Sequence, residues 1–395
     1  MMTLTTLDDV FDRAVELDLY KHDHVTEAKA LMFNDQARLV MPQHNTPIGS
    51  IPPVSLTEHA YRQMFDKLGP SVFGKGSNKT LPFDYLIALK DRYPNLLAAV
   101  LNRHLADGNG SRWLVRGNGD QARAILDGDY PRIGERDGMY ENTWLVNVAR
   151  QMVDRETGGG KFPGFGLINP SISGDNLHLK MAWYDRETPD GSYKVGNYLG
   201  NSETGQGRYK VYPFIMRNSC TNSIILQTAH GVSLTHTAKR EASIRTVILE
   251  ALGAVLRPAD DLVDMMIAAN EQTLSSFTEI VGGIAAEKGW GDPFKSLVIY
   301  GTEGRDTRMA LVNGVSYAAH VAKGLSDDRR VELEQLAGTL LVAPDSLFDR
   351  ARLSYQRKLE SVKRGGPVQS LLPEIAVDRE VAFGHHFEEP IGTIS

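Results

Sequence analysis

Apolar residues near the start of the chain, Leu7, Val10, Phe11, Ala14 and Val15, recur at helical spacing, while Asp8, Asp9, Asp12 and Glu16 take the other faces. The pattern predicts a short amphipathic helix with acids in its first turn, where the helix dipole favours them. From Val25 to Pro53 the helical period is lost and Pro42, Pro47, Pro52 and Pro53 punctuate the chain. Short strands and an extended connector are expected there. Ser55-Leu56-Thr57-Glu58 matches a capping box, and Tyr61, Met64, Phe65 and Leu68 follow as an apolar stripe, which predicts a helix to about Gly69. Two further helices are predicted from Pro82 to Arg92 and from Pro94 to Leu105. The second opens on a proline, where the missing amide proton costs nothing.

Strand character follows at Trp113 to Arg116 and Ala122 to Leu126, each bounded by glycine-rich turns, and Asn142 to Val153 returns to helical period. Between Gly158 and Phe214 glycine, tyrosine and period-two alternation dominate, as in Leu177-His178-Leu179-Lys180-Met181 and Tyr209-Lys210-Val211-Tyr212. A β-meander is expected, with turns at Asp175-Asn176, Pro189-Asp190-Gly191 and Glu203 to Gly207. Helical period resumes over about Arg240 to Leu256, Asp260 to Lys288, Asp306 to Lys323 and Asp327 to Leu341. The fold class is therefore read as α+β, a central antiparallel meander packed against the helices that follow it, with helical segments at both ends. The organisation read from this is an N-terminal helix and connector over 1–54, a core over 55–325, and a C-terminal helix and loosely packed tail over 326–395.

Composition narrows the function classes. With 395 residues, 42% of them hydrophobic and 23% charged, the chain can bury a full core, which excludes wholesale disorder. A single cysteine, Cys220, excludes an internal disulfide and any multi-thiolate zinc site. The longest apolar stretches fall short of the roughly 20 residues a membrane span needs, so no membrane partner is expected. The first residues lack the basic and apolar regions of a secretory signal, and a cytoplasmic location is expected. A net charge of −6 gives no global attraction to nucleic acid, so such binding has to come from a local basic surface.

Catalytic signatures are sparse. Gly74 to Thr80 lacks the glycine spacing of a phosphate loop, and no dinucleotide fingerprint or nucleophile elbow is present. His22, His24, His385 and His386 lack helical ligand spacing and read as solvated polar residues near the ends; Asp260-Asp261 and Asp327-Asp328 read as helix starts. No cofactor, metal site or catalytic residue is assigned. The segment Gly191 to Ile248 differs: seven cations, among them Lys194, Arg208, Lys210 and Arg217, stand against Glu203 and Glu241, a net +5 within an acidic chain. Tyr193, Tyr198, Tyr209, Tyr212 and Phe214 are interleaved with them. Aromatic faces stack on unpaired bases for about 1–3 kcal/mol each while Lys and Arg track phosphates. The competing reading is that tyrosine and arginine are ordinary residues of an exposed sheet face. In an earlier run of arginines that nearby acids nearly cancel, Arg116 and Arg123 remain candidates because they fall on predicted strands near turns.

The stretch Arg116 to Ile133, RGNGDQARAILDGDYPRI, resembles a segment of the phage- and plasmid-borne family defined by domain of unknown function 932. Asn201-Ser202-Glu203-Thr204-Gly205, Val211 to Phe214, and Arg217 with Cys220-Thr221-Asn222 are similar to that family's N-S-E-x-G, apolar strand and R-x-x-C-T-N run. His236 and the segment Arg308 to Ala319, RMALVNGVSYAA, match it further along, while Asp127-Gly128-Asp129, Asn218-Ser219 and Gly314 depart from it. The resemblance covers about Leu56 to His320 and implies a setting in bacteriophages and plasmids. It also implies a sheet-then-helix core similar to single-strand annealing proteins of the Rad52-like kind.

The resulting expectation is a non-enzymatic recombination accessory that binds single-stranded DNA, with annealing of complementary strands as a further expectation, and works as a homo-oligomer joined through sheet edges or C-terminal helices. Lys194, Arg208, Lys210 and Arg217 would neutralise phosphates, Tyr209 or Tyr212 would stack on bases, and the Glu203 to Gly207 turn would sit at the lip of the groove. One alternative is a phage structural or host-interaction protein with no affinity for nucleic acid. Another is an enzyme whose site gathers Arg116, Arg123, Asn222 and His236.

Overall fold

Helix α1 (Leu7–Asp18) opens on Thr6, whose side chain accepts from the Asp9 N–H while the Asp9 carboxylate accepts from the Thr6 N–H, a capping box that satisfies donors otherwise left open. The computed structural model containing it describes residues 4–41, 52–73, 82–107, 111–130, 132, 141–158, 165–172, 175–189, 191–205, 208–218, 223–227, 231–234, 244–254 and 259–363.

A four-stranded sheet follows. Its strands are β1 (Lys21–Glu27), β4 (Ser55–Leu56), β5 (Arg112–Asn118) and β6 (Gln121–Asp127), in the order β1-β5-β6-β4, with a small β2 (Met32–Phe33) and β3 (Leu39–Val40) pair beside it. Helices α2 (Glu58–Phe73), α3 (Phe83–Arg92) and α4 (Pro94–Ala106) cover it, burying Tyr61, Met64, Phe65, Leu97 and Leu101 against Trp113, Val115 and Ile125. Ser55 pairs with Gln121 in the sheet, so the cap of α2 falls two residues later than the sequence suggests, at Thr57, whose hydroxyl accepts from the Ala60 N–H. The predicted division at residue 54 falls between two strands of one sheet, β1 and β5, which pair with each other.

After α5 (Asn142–Thr157) and the short strands β7 (Gly166–Leu167) and β8 (Ser171–Ile172) comes the meander β9 (Asn176–Thr188), β10 (Gly191–Ser202) and β11 (Tyr209–Arg217). It is antiparallel throughout, and β12 (Ser223–Ile225) and β13 (Val232–Leu234) extend it. Successive residues of a strand face opposite sides. On one face Leu177, Leu179, Met181 and Trp183 pack with α1, α5 and α6 (Ile244–Ala254). On the other, Tyr198, Tyr212 and Phe214 cluster with Val331 of a later helix. The sheet thus packs on helices that precede it as well as on those that follow, and the fold is α+β with a central antiparallel meander.

The remaining helices are α7 (Ala259–Glu271), α8 (Phe277–Lys288), α9 (Asp292–Tyr300), α10 (Arg308–Val321), α11 (Asp327–Val342) and α12 (Asp345–Lys363). The long helix expected from Asp260 to Lys288 is two, because the chain breaks at 272–276. There the Leu274 N–H donates to the Asp306 carbonyl, the Arg308 N–H donates to the Gln272 carbonyl, and Ser276 adopts a left-handed conformation. Helix α9, opened by Pro293, and the charge-rich α12 are elements that the apolar period alone does not reveal.

Candidate nucleic-acid interface

Alternation along β9 places His178 and Lys180 on the face opposite Leu177 and Leu179, and α11 lies across that face. Ser326 caps α11 by accepting from the Arg329 N–H, which starts the helix with Asp327 and Asp328 in its first turn. Asp328 Oδ1 then stands 2.6 Å from His178 Nε2, and its other oxygen accepts from Asn176 Nδ2 at 2.8 Å. His178 Nδ1 lies 2.7 Å from the Tyr198 hydroxyl. The hydrogen bond from His178 is the main reason the Asp328 carboxyl sits below its ordinary range. The ionised carboxylate can only accept, so the ring proton belongs on Nε2, and Nδ1 accepts from the Tyr198 O–H. Burial first, then Glu334 and Asp328, push the Tyr198 phenol well above its usual pKa.

This relay forms one wall of a cleft of about 90 Å³, which Gly200, Ser202, Arg208, Lys210 and Glu332 also line. Gly200 is required there: a Cβ would stand 2.3 Å from the Tyr198 hydroxyl. Deeper under α11, Lys180 Nζ is 2.5 Å from Glu334 Oε1 and donates to Ser223 Oγ at 3.2 Å, with His320 Nε2 3.2 Å from the same carboxylate oxygen. Burial alone would raise the Glu334 carboxyl, but Lys180, His320 and Ser223 outweigh it and hold it below its ordinary value.

A second ionic cluster joins the two sheets. Arg116 makes two bonds to Asp23, at 2.9 and 2.7 Å, and donates to the Glu203 carbonyl at 2.5 Å. Arg123 pairs with Asp175 at 2.8 Å, and Lys21 pairs with Glu203 at 2.5 Å and with Asp18. Glu203 also accepts from the Asn142 N–H at 2.6 Å. Burial raises the Glu203 carboxyl despite Lys21 beside it. The Asn201 to Gly205 run therefore works as an interlock between sheets, and Glu203 is interior rather than at the lip of a groove.

The eight residues singled out from the sequence separate accordingly. Arg116 and Arg123 are buried and engaged with acids, so they hold the fold and offer no charge to a ligand. Tyr209 is fully buried against Trp144, with ring centroids 6.1 Å apart, and Tyr212 stacks on Tyr198 at 6.5 Å in the interior. Neither ring presents a free face to a base. Lys194 pairs with Asp185 at 3.0 Å and stays partly exposed. The β10–β11 register is unbroken from Tyr193↔Arg217 to Gly200↔Lys210, so Lys194 and Lys210 share the α11 face while Arg217 lies on the other. Six residue steps separate the two lysines along the ribbon, about 20 Å at the rise of a strand. Arg208 is exposed and Lys210 half-buried at the cleft, and among the described residues neither has an ion pair. Cys220, Asn222, His236, Gly74 to Thr80 and His385-His386 lie outside the described residues.

Sequence reasoning missed His178, Lys180, Asp328 and Glu334. The available signal was the alternation itself: two polar groups on one face of an otherwise apolar strand demand partners. No family model matches the chain, and neither the curated proteins nor the solved structures hold a match to it.

Proposed function

We propose that this protein binds single-stranded DNA along the α11-facing side of the meander and supports annealing as a homo-oligomer in a phage or plasmid setting. The observation that carries the reading is the contrast among the buried-sheet cations. Lys21, Arg116, Arg123 and Lys180 are each matched to an acid, whereas Arg208 and Lys210 stand at a cleft mouth with no ion pair among the described residues. Lys210 acts on the Asp328 carboxylate across that cleft without closing an ion pair, so both cations keep charge that a phosphate backbone recruits. Lys194 lies about 20 Å along the same face but is paired with Asp185 at 3.0 Å, so the track rests on Arg208 and Lys210. Because Tyr209 and Tyr212 are interior, backbone contacts supply the affinity at this cleft, and a single subunit with so few of them holds a strand weakly. Several subunits side by side would multiply the contacts, which is the physical case for an oligomer.

Fluorescence anisotropy of a labelled oligonucleotide tests this. With two phosphate contacts per subunit the affinity should fall roughly 12-fold between about 50 and 300 mM salt. Absent or salt-independent binding would remove the reading in favour of a structural or host-interaction role.

A further inference from the structure

Next to the cleft, on the other side of Glu332, α11 lines a second cavity, of about 280 Å³. Its walls are Trp290 from the turn between α8 and α9, Leu333, Gln335 and Leu336 of α11, and Gln227 just past β12. Trp290 and Gln335 are 5% and 6% exposed. Gln227 Nε2 donates to Gln335 Oε1 at 2.8 Å, which orients the Gln335 amide and leaves its Nε2 to find an acceptor elsewhere. That nitrogen and Trp290 Nε1 are both buried without a hydrogen-bond partner among the described residues. Buried donors are almost always paired; both of these belong to residues lining one cavity, and although neither atom is itself open to it, an acceptor held there could reach them once the side chains turn. Lys288 and Arg329 stand at the rim, each beside an exposed glutamate.

We propose that this cavity takes up one unpaired nucleobase of the bound strand. The inference rests on the single-strand reading above and names where that strand is held by its bases. Leucine and tryptophan walls suit a flat heterocycle, and the ring nitrogens and carbonyls of a base supply the acceptors that Gln335 Nε2 and Trp290 Nε1 lack, reached by side-chain rotation. Rim cations suit the phosphates on either side. Glu332 lines both this cavity and the Arg208 and Lys210 cleft, so the two are neighbours along α11 and one strand could pass from one to the other. This places an aromatic contact where the meander tyrosines provide none.

The test compares an ordinary oligonucleotide with an abasic one of the same length, both measured by anisotropy on the full chain. Wild type should hold the abasic strand roughly 10-fold more weakly, the size of one lost base contact. Gln335→Leu and Trp290→Phe, with circular dichroism confirming their fold, should bring ordinary and abasic strands closer together in affinity. Equal wild-type affinity for the two strands, both salt-sensitive, overturns the base pocket and leaves the backbone reading standing. No binding of either strand overturns both.

Discussion

Replacing Glu334 by glutamine removes one charge from the ion pair that fastens α11 to the meander. The Lys180 ammonium then remains under the helix, 6% exposed, with Ser223 Oγ as its neutral neighbour and the Phe214 ring centroid 6.0 Å away. Breaking a buried pair by deleting one partner costs about 3–5 kcal/mol, because the surviving charge is left without compensation. Lys180→Met should cost a similar amount, since Glu334 is fully buried and would keep only Ser223 and His320. The double variant Lys180→Met with Glu334→Leu removes both charges and fills the space with apolar atoms, so its loss should be below about 2 kcal/mol. With Glu334→Leu as the second single variant, costing at least as much as Glu334→Gln, the double-mutant cycle predicts a coupling of at least about 4 kcal/mol. Urea unfolding followed by far-ultraviolet circular dichroism supplies the midpoints and slopes. Single variants within about 1 kcal/mol of wild type, or a double variant that loses the sum of the singles, would refute the view that the pair is a desolvated, mutually dependent unit.

Other consequences follow from the same face. Asp328 has a depressed carboxyl pKa, so its contribution is present above the ordinary carboxylate value and is lost as pH falls through the lower folded one. The advantage of wild type over Asp328→Asn in urea midpoint should accordingly shrink below about pH 4. Gly338→Ala would place a Cβ 2.1 Å from the Ile225 carbonyl oxygen, backbone against backbone, and should lower thermal stability by about 1–3 kcal/mol by pushing α11 off β12. Tyr198→Phe keeps the stacked ring and drops the bond to His178; a loss of about 1 kcal/mol in a urea melt is expected.

Much of the architecture is legible in local pattern. Period-two alternation in Leu177 to Met181 and Tyr209 to Tyr212 identifies the meander, because one face of each strand packs on helices and the period reports it directly. The proline that opens α4 marks the start of that helix equally well. What the period cannot reveal is pairing at long range. His178 meets Asp328 across 150 residues and Lys180 meets Glu334 across 154, so neither a window nor a motif contains both partners. Helix α11 illustrates the same limit, since Glu334 and Gln335 are buried alongside Leu333 and Ala337 and blur its apolar face. Charge counting misled for a related reason: Arg116 and Arg123 add to a basic tally in sequence yet are neutralised by Asp23 and Asp175 in space. Arg208 is exposed and Lys210 half-buried at the cleft, where Lys210 also bears on Asp328.

The account stands or falls on those two cations. The measurement that bears on it most directly is the slope of log affinity against log salt for an oligonucleotide, taken for wild type and for Arg208→Ala with Lys210→Ala. Loss of two phosphate contacts should make the slope shallower by about 1.4, at roughly 0.7 per contact on a single strand. An unchanged slope in a variant that folds as wild type does would show that DNA, if bound, runs elsewhere, and would contradict the interface placed along α11.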